Sequence, residues 1–147
     1  MSIRALAFLS VAGLVLAACT GAGSGGAVST APSGPATTRI DVRLSDALKM
    51  EPAAITVPAG VPVTFVVTNT GTVDHEFFLG DEAAQAEHEQ EMQAGGMMHG
   101  DPAGISLKAG ESKELTHTFE QAGATLAGCH VAGHYAGGMR ATITVAG

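Results

Sequence analysis

From Ile40 onward the chain alternates apolar and polar residues in short runs punctuated by turn residues. Ile40, Val42 and Leu44 share one face of a first strand. Met50 to Val57 reads as a second, with Pro52 at an edge or bend. Val61, Val63, Phe65 and Val67 alternate with Pro62, Thr64, Val66 and Thr68, the clearest strand pattern in the sequence. Pro58-Ala59-Gly60 precedes that strand and Asn69-Thr70-Gly71 closes it. Shorter runs follow at 75–79, 104–107, 112–119, 124–129 and 139–145. Seven or eight short strands without βαβ alternation predict an all-β antiparallel sandwich, a pattern that an immunoglobulin-like domain would also satisfy.

One segment departs from the strand pattern. Residues 81–94 (DEAAQAEHEQEMQA) are helix formers with an acidic first turn, ending at Gly95-Gly96. This predicts one short helical insert, spanning 81–103 together with the loop that follows it. A helix of that length is marginal alone, so it must pack on the sandwich or order on binding.

The first 38 residues do not belong to this pattern. Arg4 followed by the apolar run 5–17 reads as a processing segment, too short for a comfortable bilayer span. Leu16-Ala17-Ala18-Cys19 matches the lipobox of bacterial lipoproteins, which places the leader at 1–18 and makes Cys19 the acylated residue. The alternative is an ordinary secretory signal with an incidental cysteine; under either reading the mature protein leaves the cytoplasm. Residues 19–38 are dominated by Gly, Ser, Ala, Thr and Pro and predict a flexible tether. The expected organisation is thus leader, lipid-anchored linker and one domain over 39–147, monomeric and held at the outer face of a bacterial membrane or in the periplasm.

Charge narrows the function. Without Arg4 the chain keeps six Lys+Arg against fourteen Asp+Glu. No basic cluster is present, which excludes nucleic acid as a partner. No nucleophile–base pair is visible either, so catalysis is not expected.

With Cys19 lipidated, Cys129 has no disulfide partner in the chain, and a lone thiol outside the cytoplasm asks for a reason. The run GCHVAGHYAGGM offers one. It places Cys129, His134 and Met139 with four intervening residues each time, in a loop before the last strand. His75, at the start of a strand, supplies a fourth candidate. Two imidazoles, a thiolate and a thioether suit one mononuclear copper that cycles between Cu(I) and Cu(II). Zinc takes Cys/His sets without methionine more often.

The chain resembles the cupredoxins, the small blue or green copper proteins of the plastocyanin and azurin type. The resemblance runs through nearly all of 40–145. It is carried by Ile55-x-Val57-x-x-Gly60-x-x-Val63-x-Phe65, by Asp74-His75-Glu76-Phe77, by the strand ending in Phe119, and by Cys-x4-His-x4-Met. It implies a Greek-key β-sandwich, a type 1 copper on His75, Cys129, His134 and Met139, and one-electron transfer. Many cupredoxins place Asn directly after the first histidine to brace the ligand loops; Glu76 stands there in this chain.

Three further features stay open at this level. His130 adjoins Cys129, and strand alternation turns it away from the metal, to a supporting or surface position. His117, between Leu115 and Phe119, is expected to be a buried, hydrogen-bonded histidine. In the insert, His88 and Met92 share a helical face and Met97, Met98 and His99 follow. These five are either a second copper site, favouring Cu(I), or part of a solvated acidic helix whose methionines pack on the sandwich. With the copper motifs, the insert resembles cupredoxins associated with copper tolerance. Two functions follow: a redox carrier whose apolar loop 131–136 docks a basic partner protein, or a protein that binds and buffers excess copper. Under the first, residues 82–100 are expected to be separable from the redox site.

Overall fold

The computed structural model describes residues 37–96 and 101–147. The expected leader, the expected linker up to residue 36 with Cys19, and Met97, Met98 and His99 lie outside the described residues. Among the described residues, nine strands and one helix follow in chain order: β1 Thr38–Ser45, β2 Lys49–Glu51, β3 Ala54–Pro58, β4 Pro62–Asn69, β5 His75–Gly80, α1 Glu82–Gln93, β6 Gly104–Leu107, β7 Ser112–Thr118, β8 Gly123–Gly128 and β9 Arg140–Ala146. They form two sheets, ordered β2-β1-β4-β7 and β3-β9-β8-β5-β6. The expected β-sandwich with a short helical insert is therefore present.

Two details differ from the sequence reading. The run Met50–Val57 is two strands, with β2 pairing to β1 in one sheet and β3 to β9 in the other. This crossing brings the count to nine. The sheets are also mixed, because β1 runs parallel to β4 and β3 parallel to β9.

The core forms where the inner faces meet. In β4, Val63, Phe65, Val67 and Asn69 are buried and the intervening residues only half so, as period-two alternation requires. β9 repeats this with Ala141, Ile143 and Val145. Phe65 packs against Phe77 at 5.2 Å and edge-on to Phe119 at 6.3 Å between ring centres. These rings fill the space between the sheets.

β5 breaks the alternation, since His75 through Leu79 are all buried. One face points into the core with Phe77 and Leu79, and α1 covers the other, with Glu76 and Phe78. Asp81 caps the helix by accepting the Ala84 N–H at 2.9 Å. Among the described residues no helix is long and apolar enough to cross a membrane.

Candidate metal centre

The loop from Cys129 to Met139 is folded tightly by its own backbone. His134 N–H donates to Val131 O at 2.8 Å, and Gly137 N–H to Gly133 O at 3.0 Å. Met139 N–H donates to His134 O at 3.0 Å, and Cys129 N–H to Met139 O at 3.1 Å. Gly133 and Gly138 hold φ of 83° and 90°, where a side chain would be strained. The repeated glycines thus bend the loop until its two ends meet.

That bend brings three donors together. His134 Nδ1 lies 3.4 Å from Cys129 Sγ and 3.2 Å from His75 Nδ1, and the thiol lies 3.9 Å from His75 Nδ1. The donor atoms all fall within 4.8 Å of one another, close enough to hold one metal ion. His75 and Cys129 are fully buried, whereas His134 keeps an exposed edge. Met139 is fully buried too, its backbone pinned between Cys129 and His134.

The electrostatics suit a soft cation. Burial pushes the Cys129 thiol up to about 11, although the Glu76 and Val131 backbone N–H groups oppose the shift. The metal-free thiol therefore holds its proton at neutral pH. Desolvation, with His75 nearby, moves His134 below the usual imidazole range and leaves it an uncharged donor. A desolvated thiol and two imidazoles fit copper by the chemistry of the set.

Three supports surround the donors, and one of them carried no signal in the sequence. Asp46, in the turn after β1, places Oδ1 3.3 Å from His75 Nε2. This orients the ring so that Nδ1 faces the thiol, the carboxylate–histidine arrangement common behind metal ligands. Asp46 is itself fixed by the Thr72 backbone and hydroxyl, which hold its carboxyl at about 2. Asn69 steadies the turn before His75 by donating to Val73 O and accepting the Gly71 N–H.

Glu76 is the second support. Its backbone N–H donates to Cys129 Sγ, and its buried carboxylate accepts the His130 N–H. It ties the two ligand segments together from the position where an asparagine was the expected brace. The third is His130. As the alternation indicated, its ring turns away from the three donors, and it is buried rather than exposed. His117 is half-buried, with its ring edge-on to Phe119 at 4.6 Å. His88 is buried on the inner face of α1, stacked on Phe78 at 4.1 Å and facing Glu76 and Glu91 at 3.6 and 3.7 Å. Met92 lies half-exposed one turn further on.

A two-sheet sandwich with this His, Cys and His cluster at one end is the architecture of a cupredoxin. The chain belongs to the family described as "Copper binding proteins, plastocyanin/azurin family", which matches residues 36–146. Among its relatives, a "Copper-resistant cuproprotein CopI" of Rubrivivax gelatinosus is 39% identical over 107 residues, covering 72% of this chain and 65% of the relative. A protein of the same name from Pseudomonas aeruginosa is 35% identical over 145 residues, covering 78% of this chain and 80% of the relative. The chain thus spans just under two thirds of the Rubrivivax protein's length. Reduced auracyanin of Roseiflexus castenholzii superposes with a TM-score of 0.68 at 28% identity, over 78% of this chain and all of that one. Auracyanin A of Chloroflexus aurantiacus, a "blue" copper protein, gives 0.66 at 26%, over 76% of this chain and all of that one.

Proposed function

We propose that this copper-binding protein is a one-electron carrier outside the cytoplasm, with one copper held by His75, Cys129, His134 and Met139. The observation that carries this reading is the convergence of two imidazole nitrogens and a buried thiol on one point. Copper bound there supplies a single electron exchanged between Cu(I) and Cu(II). The protein's own residues do the rest. Asp46 and Glu76 hold two of the donors in place, so that neither oxidation state has to rebuild the site.

His134 is the donor that reaches the surface. Around it, Ala132, Gly133, Ala136, Gly137 and Gly138 are exposed, a small apolar rim on which a partner protein could settle. The acidic balance of the chain favours a basic partner and an association weakened by salt. Attachment to a bacterial membrane through Cys19 belongs to this reading. Reversible one-electron voltammetry of the loaded protein tests it; copper that binds but cannot be reduced and reoxidised would overturn it.

A second reading has its own support in the names of the relatives: a role in copper tolerance, with the chain binding excess metal. His88 is engaged with Phe78 and Glu76, so extra ligands in the insert would come first from Met92, Met97, Met98 and His99. Counting copper per chain separates the readings. One equivalent fits the carrier alone, and two or more bring in the insert.

A further inference from the structure

The insert helix is fastened to the loop that carries Cys129, and its fastenings are polar. A twelve-residue helix ordinarily docks through an apolar stripe. α1 (EAAQAEHEQEMQ) has none, and its buried residues are Gln85 and His88. The Gln85 amide nitrogen faces the carbonyls of Phe78, Gly80 and Leu126 at 3.2, 3.3 and 3.4 Å. Those three acceptors fix the orientation of the carboxamide and leave its oxygen facing His130 Nε2 at 2.7 Å. One helical turn on, Glu89 Oε2 meets His130 Nδ1 at 2.6 Å. A single helix face thus grips both nitrogens of one imidazole.

The rest of His130 is held as firmly. Its ring stacks on Tyr135 at 4.5 Å, and its backbone N–H is on the Glu76 carboxylate. The segment before Cys129 presses on the same glutamine, since a Cβ at Gly128 would collide with Gln85 Oε1 and come within 2.8 Å of the Tyr135 ring. Both neighbours of the thiol in the chain are therefore set against α1.

We propose that α1 is a clamp on the copper ligand loop. Gln85 and Glu89, acting through His130, are positioning residues that hold the Cys129 thiol toward His75 and His134 before metal arrives and slow the loss of copper afterwards. The second half of this statement rests on Cys129 being a copper ligand; the first concerns the metal-free protein alone. A donor ordered in advance spares the ordering cost at binding. By reciprocity, copper in the site holds α1 down, and the insert is not separable from the redox centre.

The test uses the full chain, wild type beside the double variant Gln85→Ala/Glu89→Ala, the single variant Glu89→Ala, the conservative Glu89→Gln, and Glu87→Ala on the exposed side of the helix. In the metal-free protein, maleimide modification is followed by mass on the peptide containing Cys129. The double variant is expected to react about 10-fold or more faster, as loss of charge-assisted hydrogen bonds allows. Glu89→Gln, which keeps an acceptor oxygen, falls between it and wild type, and Glu87→Ala matches wild type. In the copper-loaded protein the double variant keeps a thiolate-to-copper band, shifted in position, and loses metal to excess chelator about 10-fold faster. Should the double variant fail to fold by circular dichroism, the order wild type, Glu89→Gln, Glu89→Ala decides. Unchanged alkylation, band and loss rate, with hydrogen exchange showing α1 released, overturns the clamp. A wild type without the band would instead contradict the copper ligand assignment, and the alkylation rates would still decide the clamp.

Discussion

The backbone N–H of Glu76 donates to Cys129 Sγ at 3.2 Å. One residue further along the loop, the His130 N–H donates to the carboxylate of the same Glu76, also at 3.2 Å. The two bonds join the histidine-bearing end of β5 to the loop after β8. They do so beneath a helix that keeps water from the carboxylate, so each partner depends on the other for satisfaction.

Replacing that carboxylate separates its two roles. Glu76→Gln keeps an oxygen for the His130 N–H and is expected to leave the metal-free stability nearly unchanged. Glu76→Ala strands a buried donor and should cost about 1–3 kcal/mol in urea unfolding. Equal stability of the two variants would show that the brace contributes nothing.

Asp46 gives the fold a dependence on acid. Its carboxyl is held at about 2, first by the Thr72 backbone N–H and then by the Thr72 hydroxyl. A group lowered on folding stabilises in full above its unfolded value, near 3.9. That contribution is lost as pH falls through about 2. Wild-type stability should therefore fall between about pH 4 and pH 2, and Asp46→Asn should flatten this part of the profile. Urea unfolding of the metal-free protein across that range measures it, and identical slopes would contradict the assignment.

Copper uptake should release a proton. The metal-free Cys129 thiol sits at about 11, chiefly through burial, and a ligand sulfur must be a thiolate. His134, lowered by desolvation, is already uncharged at neutral pH and adds none. Close to one proton per ion is expected when Cu(I) is delivered to lightly buffered protein at neutral pH. Release near zero would mean that the thiol does not bind the metal.

How much of this was legible follows from how local each feature is. Alternation in 61–67 shows β4 because one face of a strand signals its own burial. The Cys129, His134 and Met139 spacing shows the loop because all three sit in one short segment. The split of Met50–Val57 between sheets and the two parallel pairings depend on distant partners, which no window along the chain displays. Asp46 is a lone carboxylate in a turn, with nothing nearby to mark it as the partner of His75. The burial of Glu76 and His130 was hidden for a related reason: the helix that covers them docks through Gln85 and Glu89 and leaves no apolar stripe to announce it.

Met139 is pinned between two donors, and its thioether is the soft group that favours Cu(I). Met139→Leu keeps the volume, so metal-free stability should change by less than about 1.5 kcal/mol. Cu(I) retention against a competing chelator should fall while Cu(II) binding persists. Unchanged Cu(I) retention would make Met139 a core residue only.

The central claim is that the sulfur of residue 129 and the imidazoles of 75 and 134 share one copper ion. Absorption and electron paramagnetic resonance spectra of the Cu(II)-loaded chain, beside Cys129→Ser, test it most directly. An intense visible thiolate-to-copper band is expected at one copper per chain in the wild type and not in the variant. A wild type lacking the band, or a variant that keeps it, would mean that the residue 129 sulfur does not bind the copper.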